Sequence, residues 1–208
     1  MIITISERRI RKELAEVQAR LQARGEHSGY LERIARCLHW LKEPGARDYF
    51  RRAAQAYPMR RGQSAGELVR IGTLWLFAGD TAKATTLLRQ AYQVAKQRTS
   101  TGSLPEYTYL IKSCLLLGYD NEAQTYSAIL IARGDGFPEM EAWATLAQAR
   151  QTGSRALALQ AVDRFATIIR SERWMLSATD APPPWDWYEI ALRLATELGA
   201  VVPEDALP

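Results

Sequence analysis

Apolar residues recur along almost the whole chain at intervals of three and four positions. In the first such segment, Ile10, Leu14, Val17 and Leu21 follow one another at steps of four, three and four, with arginines and glutamates between them. This spacing places the apolar side chains on one face of an α-helix and the charged ones on the other. Only residues 2–5 have a β-branched pattern, and they are too few to form a sheet alone. The chain is therefore predicted to be all-α.

Three glycines stand between pairs of these helical segments. Glycine accepts the left-handed conformation that ends a helix, and an aspartate or serine shortly after it caps the next helix. An alanine five positions after each glycine lets two helices approach closely. The pattern predicts three helix hairpins, with the sets Gly79–Asp80–Ala84, Gly118–Asp120–Ala123 and Gly153–Ser154–Ala158.

Two serines mark the starts of further helices. Ser64 stands three positions before Glu67, and Ser103 stands three positions before Glu106. In this arrangement, called a capping box, each side chain bonds a free backbone amide at the helix start. Helices are therefore predicted to begin at both places.

The small residues of residues 65–98 have a spacing that resembles the tetratricopeptide repeat (TPR) family; the matching positions are Gly72, Gly79, Ala84, Leu88 and Ala91. Residues 25–58 match through Phe50 and Ala53, but Arg33 and Ile34 stand where a Leu-Gly pair is usual. The resemblance implies a right-handed array of about four antiparallel helix hairpins with capping helices at both ends. The expected parts of this single domain, 1–208, are an N-terminal cap at 6–23, repeats at 25–58, 65–98, 104–137 and 139–172, and a C-terminal cap at 184–198.

The same resemblance implies a concave face lined by the first helix of each repeat. Some relatives hold a partner's C-terminal carboxylate there with a clamp of Lys, Arg and Asn. In this chain only Lys112 and Arg150 would be available for such a clamp. The expected lining residues are Leu31, Ala35, Leu38, Val69, Thr73, Leu76, Thr108, Lys112, Leu115, Trp143, Ala147 and Arg150.

Tryptophans supply a second set of candidate binding residues. Trp174, Trp185 and Trp187 bracket a proline-rich connection at residues 180–184, and Trp143 lies within a predicted helix. Trp143 is expected to belong to the core, as are Trp40 and Trp75, although it also falls on the expected concave face. Two interpretations stay open for the three tryptophans at the connection. The rings pack the connection onto the last repeat, or they form an exposed anchor for a partner, since Trp, Tyr and Arg dominate binding hot spots.

The charge is unevenly distributed. Residues 1–61 hold 14 Lys and Arg against 7 Asp and Glu, whereas residues 62–208 hold 13 against 16. The basic third could attract an acidic partner, or it could simply be the solvated face of helices. Binding of nucleic acid is disfavoured because glutamates such as Glu13, Glu26 and Glu32 interrupt any basic stripe.

The candidate motifs for catalysis and metal binding lack the sequence context that such sites require. Ser64 lies in a Gly-x-Ser-x-Gly pattern, but the segment before it is not a strand and both histidines precede it, so the capping box explains it better. Cys37 and Cys114 fit buried thiols, and with His27 and His39 they form no known zinc spacing. We therefore expect no enzyme activity, no cofactor and no metal.

What remains is a protein-binding module. The favoured interpretation is a bacterial immunity or inhibitor protein that occludes a toxin, effector or enzyme, and the alternatives are a secretion chaperone or scaffold adaptor and a nucleic-acid-associated regulator. No apolar run reaches the ~18 residues of a membrane span. No basic stretch precedes the apolar residues at the N-terminus, as a secretory signal requires, so a cytoplasmic location is expected.

Overall fold

The chain folds into helices, as a computed structural model shows for residues 7–99, 104–133, 138–171 and 182–201. Within these ranges there are ten α-helices and no strand, which confirms the prediction of an all-α protein. Three parts of the predictions lie outside the described residues: position 6, where the N-terminal capping helix was expected to begin, Ser103 of the second capping box, and the candidate Trp174. The helices are α1 (Glu7–Arg24), α2 (Ser28–Trp40), α3 (Ala46–Ala56), α4 (Ala65–Phe77), α5 (Thr81–Arg98), α6 (Leu104–Leu117), α7 (Asp120–Ala132), α8 (Pro138–Thr152), α9 (Arg155–Ser171) and α10 (Pro184–Glu197).

The turn between α4 and α5 follows the predicted glycine and cap chemistry. Gly79 has φ of 84°, in the left-handed region that glycine reaches without strain. Asp80 then accepts a hydrogen bond from the backbone N–H of Lys83 at 3.1 Å and caps α5. Gly118 and Gly153 also have positive φ, so the predicted helix ends are confirmed at all three glycines.

Close contact between α4 and α5 depends on a missing side chain. A Cβ placed on Gly72 would lie 2.9 Å from Cγ of Leu88 and 3.5 Å from the carbonyl oxygen of Ala84. The first distance is too short for two carbon atoms. The small residue therefore lets the two helices of this hairpin pack closely.

The start of α7 differs from the prediction. Asp120 was expected to cap this helix, but the cap is Tyr119, which makes no side-chain cap bond. Asp120 is the first helical residue, and its carboxylate accepts from Arg150 of α8 at 3.4 Å. Burial raises the pKa of Asp120, and the charge of Arg150 opposes that shift. The extra residue after Gly118 turns the carboxylate away from the backbone and towards the neighbouring helix.

The helices pack in sequence order. Each helix contacts the next, and α4, α6, α8 and α10 also contact one another in series. The buried apolar residues form two clusters, one around α1–α5 and one around α5–α10. Val94, Tyr109 and Leu116 pack against both clusters and join them. No helix in the described part of the chain is long and apolar enough to cross a membrane.

The face that the resemblance led us to expect as an open concave surface is mostly covered. Of its expected lining residues, only Leu76, Thr108 and Arg150 keep appreciable exposure, and each is only partly exposed. The buried ones are Leu31, Ala35, Leu38, Val69, Thr73, Lys112, Leu115, Trp143 and Ala147. Part of the cover comes from α10, whose Trp187 packs on Trp143.

Candidate functional site

Side chains of α2 and α10 meet, although the hydrogen-bonded residues lie 150 positions apart in the sequence. Three contacts form the junction, which we call the seam. Arg36 pairs with Asp186, Nε2 of His39 lies 2.5 Å from Oε2 of Glu189, and the Trp40 and Trp185 rings lie 5.2 Å apart. The participating residues recur at helical spacing on both helices, so one face of α2 is turned towards one face of α10.

A buried charge network lies at the centre of the seam. The side chains of Arg36 and Asp186 are each 1% exposed, and that of Glu32 is 0% exposed. Besides Asp186, Arg36 donates to Oε1 of Glu32 from Nη2 at 3.0 Å and from Nε at 3.2 Å. Burial lowers the pKa of Arg36, but the two carboxylates outweigh burial and raise it. Burial raises the pKa of Asp186, and the Arg36 charge offsets only part of that shift.

Glu32 extends the network to two more parts of the chain. Its Oε2 accepts from the Tyr57 hydroxyl at 3.0 Å and from Nε of Arg70 at 2.8 Å. Burial, followed by the charge of Glu32, raises the pKa of Tyr57 to about 12. Glu32 thus ties α2 to α4 and to the end of α3. These donors offset the cost of burying the Glu32 carboxylate away from water.

A cleft opens beside the seam, between α10 and the turn that joins α2 to α3. We call it the seam cleft; its volume is about 610 Å³. The walls combine aromatic and aliphatic side chains with two basic residues. The lining side chains include Trp40, Trp185, Tyr188, Leu192, Lys42 and Arg47. This size lies within the range of small-ligand pockets, ~300–1,000 Å³, so the cleft can admit a few side chains but not a whole helix.

The predicted tryptophans separate into two environments. Trp185 is half-buried and lines the seam cleft. Trp143 and Trp187 are buried, with their rings 6.0 Å apart in an edge-to-face arrangement. Lys112 is also buried, with Nζ 5.4 Å from the centre of the Trp143 ring. Trp143, Trp187 and Lys112 therefore contribute to the interior rather than to an exposed surface.

Arg150 makes contacts within the chain. Its Nη1 donates to the carbonyl oxygen of Leu115 at 2.6 Å, near the end of α6, and also reaches Asp120. An arginine at a helix C-terminus satisfies carbonyls that the helix leaves free. Arg150 thus connects α8 to the turn between α6 and α7. Lys112 and Arg150 do not form a joint carboxylate clamp at the surface.

A second cleft of about 510 Å³ lies between α3 and α5. Met59 borders it and is 62% exposed, and Lys83 places Nζ 4.1 Å from the centre of the Trp75 ring. Lys83 also pairs with Asp80. This cleft therefore has a basic residue whose charge is already partnered, which distinguishes it from the seam cleft.

The residues considered for catalysis in the sequence have structural roles that the contacts explain. Ser64 and Glu67 form the predicted capping box, with the Glu67 N–H donating to Ser64 Oγ at 3.2 Å. Burial raises the pKa of both Cys37 and Cys114 to about 12, which leaves these thiols protonated and unreactive. The described lining of the seam cleft contains no Ser, Thr or Cys that could serve as a nucleophile beside His39. No group of three His, Cys, Asp or Glu side chains is placed to hold a metal ion in the ranges that the structure covers.

Sequence reasoning missed the charged residues of the seam. Glu32 was counted as a surface glutamate that dilutes the basic third, but it is fully buried. One signal was compatible with burial: Glu32 and Arg36 lie four positions apart, each beside an apolar position of the helix. This spacing puts both side chains on one face, and charged residues are almost never fully buried unless they are paired. Nothing in the local sequence indicated that Asp186 would be its third member.

Comparison with protein-family models gives no match for this chain, and comparison with curated proteins gives none either.

Proposed function

We propose that the chain is a non-enzymatic protein-binding module that contacts its partner through the seam cleft. The observation that carries the proposal is an open cleft whose half-buried aromatic residues, Trp40 and Trp185, border exposed basic residues. Tryptophan and arginine in a partly enclosed pocket are the residues that most often dominate binding energy at protein interfaces. The sequential packing of the hairpins supports a TPR-like right-handed array as the scaffold.

Within this class we propose an inhibitor or immunity protein that occludes one partner, such as a toxin or effector. The support is geometric. Because the expected concave face is largely covered, the part of the chain that the structure describes does not offer the long open groove with which repeat proteins hold extended or varied partners. A compact surface around one cleft suits a single dedicated partner better than it suits the broad client set of a chaperone or adaptor.

Affinity purification of the tagged chain from its source organism, followed by mass spectrometry, tests the proposal. We expect one dominant protein at a near-equimolar ratio. Trp185→Ala and Leu192→Ala remove apolar surface from the seam cleft and should each release that protein. Met59→Ala is the matched control, because it removes an exposed apolar side chain at the second cleft and should leave the complex intact.

Each other outcome would count against part of the proposal. Many substoichiometric partners would favour an adaptor or chaperone. A complex that survives Trp185→Ala and Leu192→Ala but is lost with Met59→Ala would place the interface at the second cleft. Melting temperatures of the variants must accompany the binding data. A lost complex with an unchanged melting temperature identifies a contact residue rather than a packing residue.

A further inference from the structure

Some charged side chains around the seam cleft already have a partner within the chain, and others do not. Lys42 and Arg47 are exposed at its rim, and neither forms an ion pair with any residue that the structure describes. The two acidic residues that border the cleft are both engaged. Glu43 accepts from Arg11 at 2.5 Å, and Glu189 lies 2.5 Å from His39. The charge that the cleft can offer to a ligand is therefore positive.

The other polar groups at the cleft add no free negative charge. Gly45 is the N-cap of α3 and has no side chain with which to cap it, and the acidic residue in the first turn of this helix, Asp48, pairs with Arg51. The indole nitrogens of Trp40 and Trp185 lack an acceptor within the described ranges, but both atoms are buried, so they are not accessible to a ligand in the cleft. The groups that remain available are the two exposed basic side chains at the rim, and these favour an anion.

The apolar part of the cleft demands a second property of its occupant. The Trp185 ring lies 5.2 Å from that of Trp40 and 6.4 Å from that of Tyr188, and Leu192 continues this surface along α10. Aromatic rings in this arrangement bind apolar side chains well because they bury a large area with little loss of rotamer freedom. A purely ionic ligand would leave this surface unused.

We propose that the seam cleft binds an acidic segment of a partner protein, in which one aromatic or large aliphatic side chain enters the cleft and the flanking carboxylates pair with Lys42 and Arg47. This inference rests on the proposed function, since it specifies the partner of the same surface. The excess of basic residues in the N-terminal third adds long-range attraction for such a segment.

Selection from phage-displayed random dodecapeptides on the full-length protein tests the chemistry without knowledge of the partner. We expect the enriched peptides to combine Asp or Glu with an adjacent aromatic residue or Leu. A synthetic copy of an enriched peptide is then titrated against two double variants. Lys42→Glu with Arg47→Glu reverses the rim charges, whereas Arg24→Glu with Arg89→Glu reverses two exposed charges away from the cleft.

The two variants change the net charge by the same amount, so they separate a local effect from a global one. We expect the rim variant to bind the peptide at least about tenfold more weakly at low salt, chiefly through slower association. The control variant should remain within about twofold of the wild type. The difference between the variants should shrink towards ~1 M salt, where the Debye length is only ~3 Å.

Four results would overturn the inference. The first two concern the selection: enrichment of neutral or basic peptides, or no enrichment at all. The third is equal binding of the peptide by the two double variants. The fourth is that a DNA duplex displaces the peptide, and that this displacement requires Lys42 and Arg47. Equal binding by the two double variants does not by itself refute the proposed function, and Trp185→Ala decides between the two cases. If Trp185→Ala abolishes peptide binding while the rim variant does not, the cleft is a protein-binding site with an uncharged preference. If neither change matters, both proposals fail.

Discussion

Replacing Asp186 with asparagine should destabilise the protein far more than the loss of one ion pair at the surface would. Asp186→Asn keeps the size of the side chain but removes the charge that faces Arg36. Both side chains are 1% exposed, so the guanidinium cannot recover the lost interaction by turning to water. The variant leaves Arg36 with Glu32 as its remaining carboxylate partner.

The magnitude follows from the burial and from the surviving partner. Removing one member of a buried ion pair costs about 3–5 kcal/mol, mostly because the other charge stays buried without compensation. Since Glu32 still accepts two hydrogen bonds from Arg36, we expect the lower end, about 3 kcal/mol. For a protein of this size that corresponds to a fall in melting temperature of roughly 6–12 °C.

Urea denaturation followed by circular dichroism measures the change, and Asp48→Asn is the matched control. Asp48 pairs with Arg51 at 3.4 Å, but the two side chains are 61% and 50% exposed. Its substitution should therefore cost no more than about 0.5 kcal/mol. If the two variants lose the same stability, burial does not make the Arg36–Asp186 pair costlier to break than a surface pair, which contradicts this prediction.

The pH dependence of a second variant tests the same pair from the other side. Arg36→Met leaves Asp186 buried without its cation, so the pKa of this carboxyl rises further above its value in the unfolded chain. The folded state then binds more protons than the unfolded state, and stability falls as the pH rises from about 4 through the raised pKa. The destabilisation should be smallest in acid and largest at neutral pH, and adding Asp186→Asn should flatten it. A penalty that does not vary with pH would contradict this account.

Three further predictions concern the scaffold. Gly72→Ala should cost about 1–3 kcal/mol in urea denaturation, because its Cβ would lie 2.9 Å from Cγ of Leu88. Ser64→Ala should cost about 1 kcal/mol through loss of the helix cap, with no effect on partner binding measured in parallel. Cys37 and Cys114 should resist iodoacetamide in the folded protein at pH 8 and react on addition of urea; mass spectrometry that detects rapid labelling without denaturant would contradict their burial.

The local parts of the fold could be predicted because their causes lie within a few residues. The turn at Gly79 and Asp80 needs only a residue that tolerates positive φ and a side chain that accepts from a nearby amide. The capping box at Ser64 is equally local. Asp120 shows the limit of such reasoning, since one intervening residue after Gly118 redirects the carboxylate to Arg150 of another helix.

The candidate site could be predicted only in part because it depends on where distant helices meet. Trp185 was identified as a binding candidate from its residue type, and it does line the seam cleft. The same reasoning gave equal weight to Trp187, which is buried two positions further along α10. On a helix, neighbours two positions apart face different directions, and only the packing of α10 decides which one reaches the surface.

The seam links the stability of the fold to the proposed binding surface. Trp185, Tyr188 and Leu192 line the cleft from α10, while Trp40, Lys42 and Arg47 line it from α2 and the turn that follows. The cleft therefore exists in this form only while α10 stays against α2, and the Arg36–Asp186 pair is a buried contact between these two helices. A ligand that contacts both walls binds best when α2 and α10 are packed together as they are here. Its binding must therefore stabilise the seam, by the difference between its binding free energies with and without the seam in place. Substitutions that weaken the seam should in turn lower the affinity of the cleft for the ligand, even though neither Arg36 nor Asp186 lies in the cleft wall.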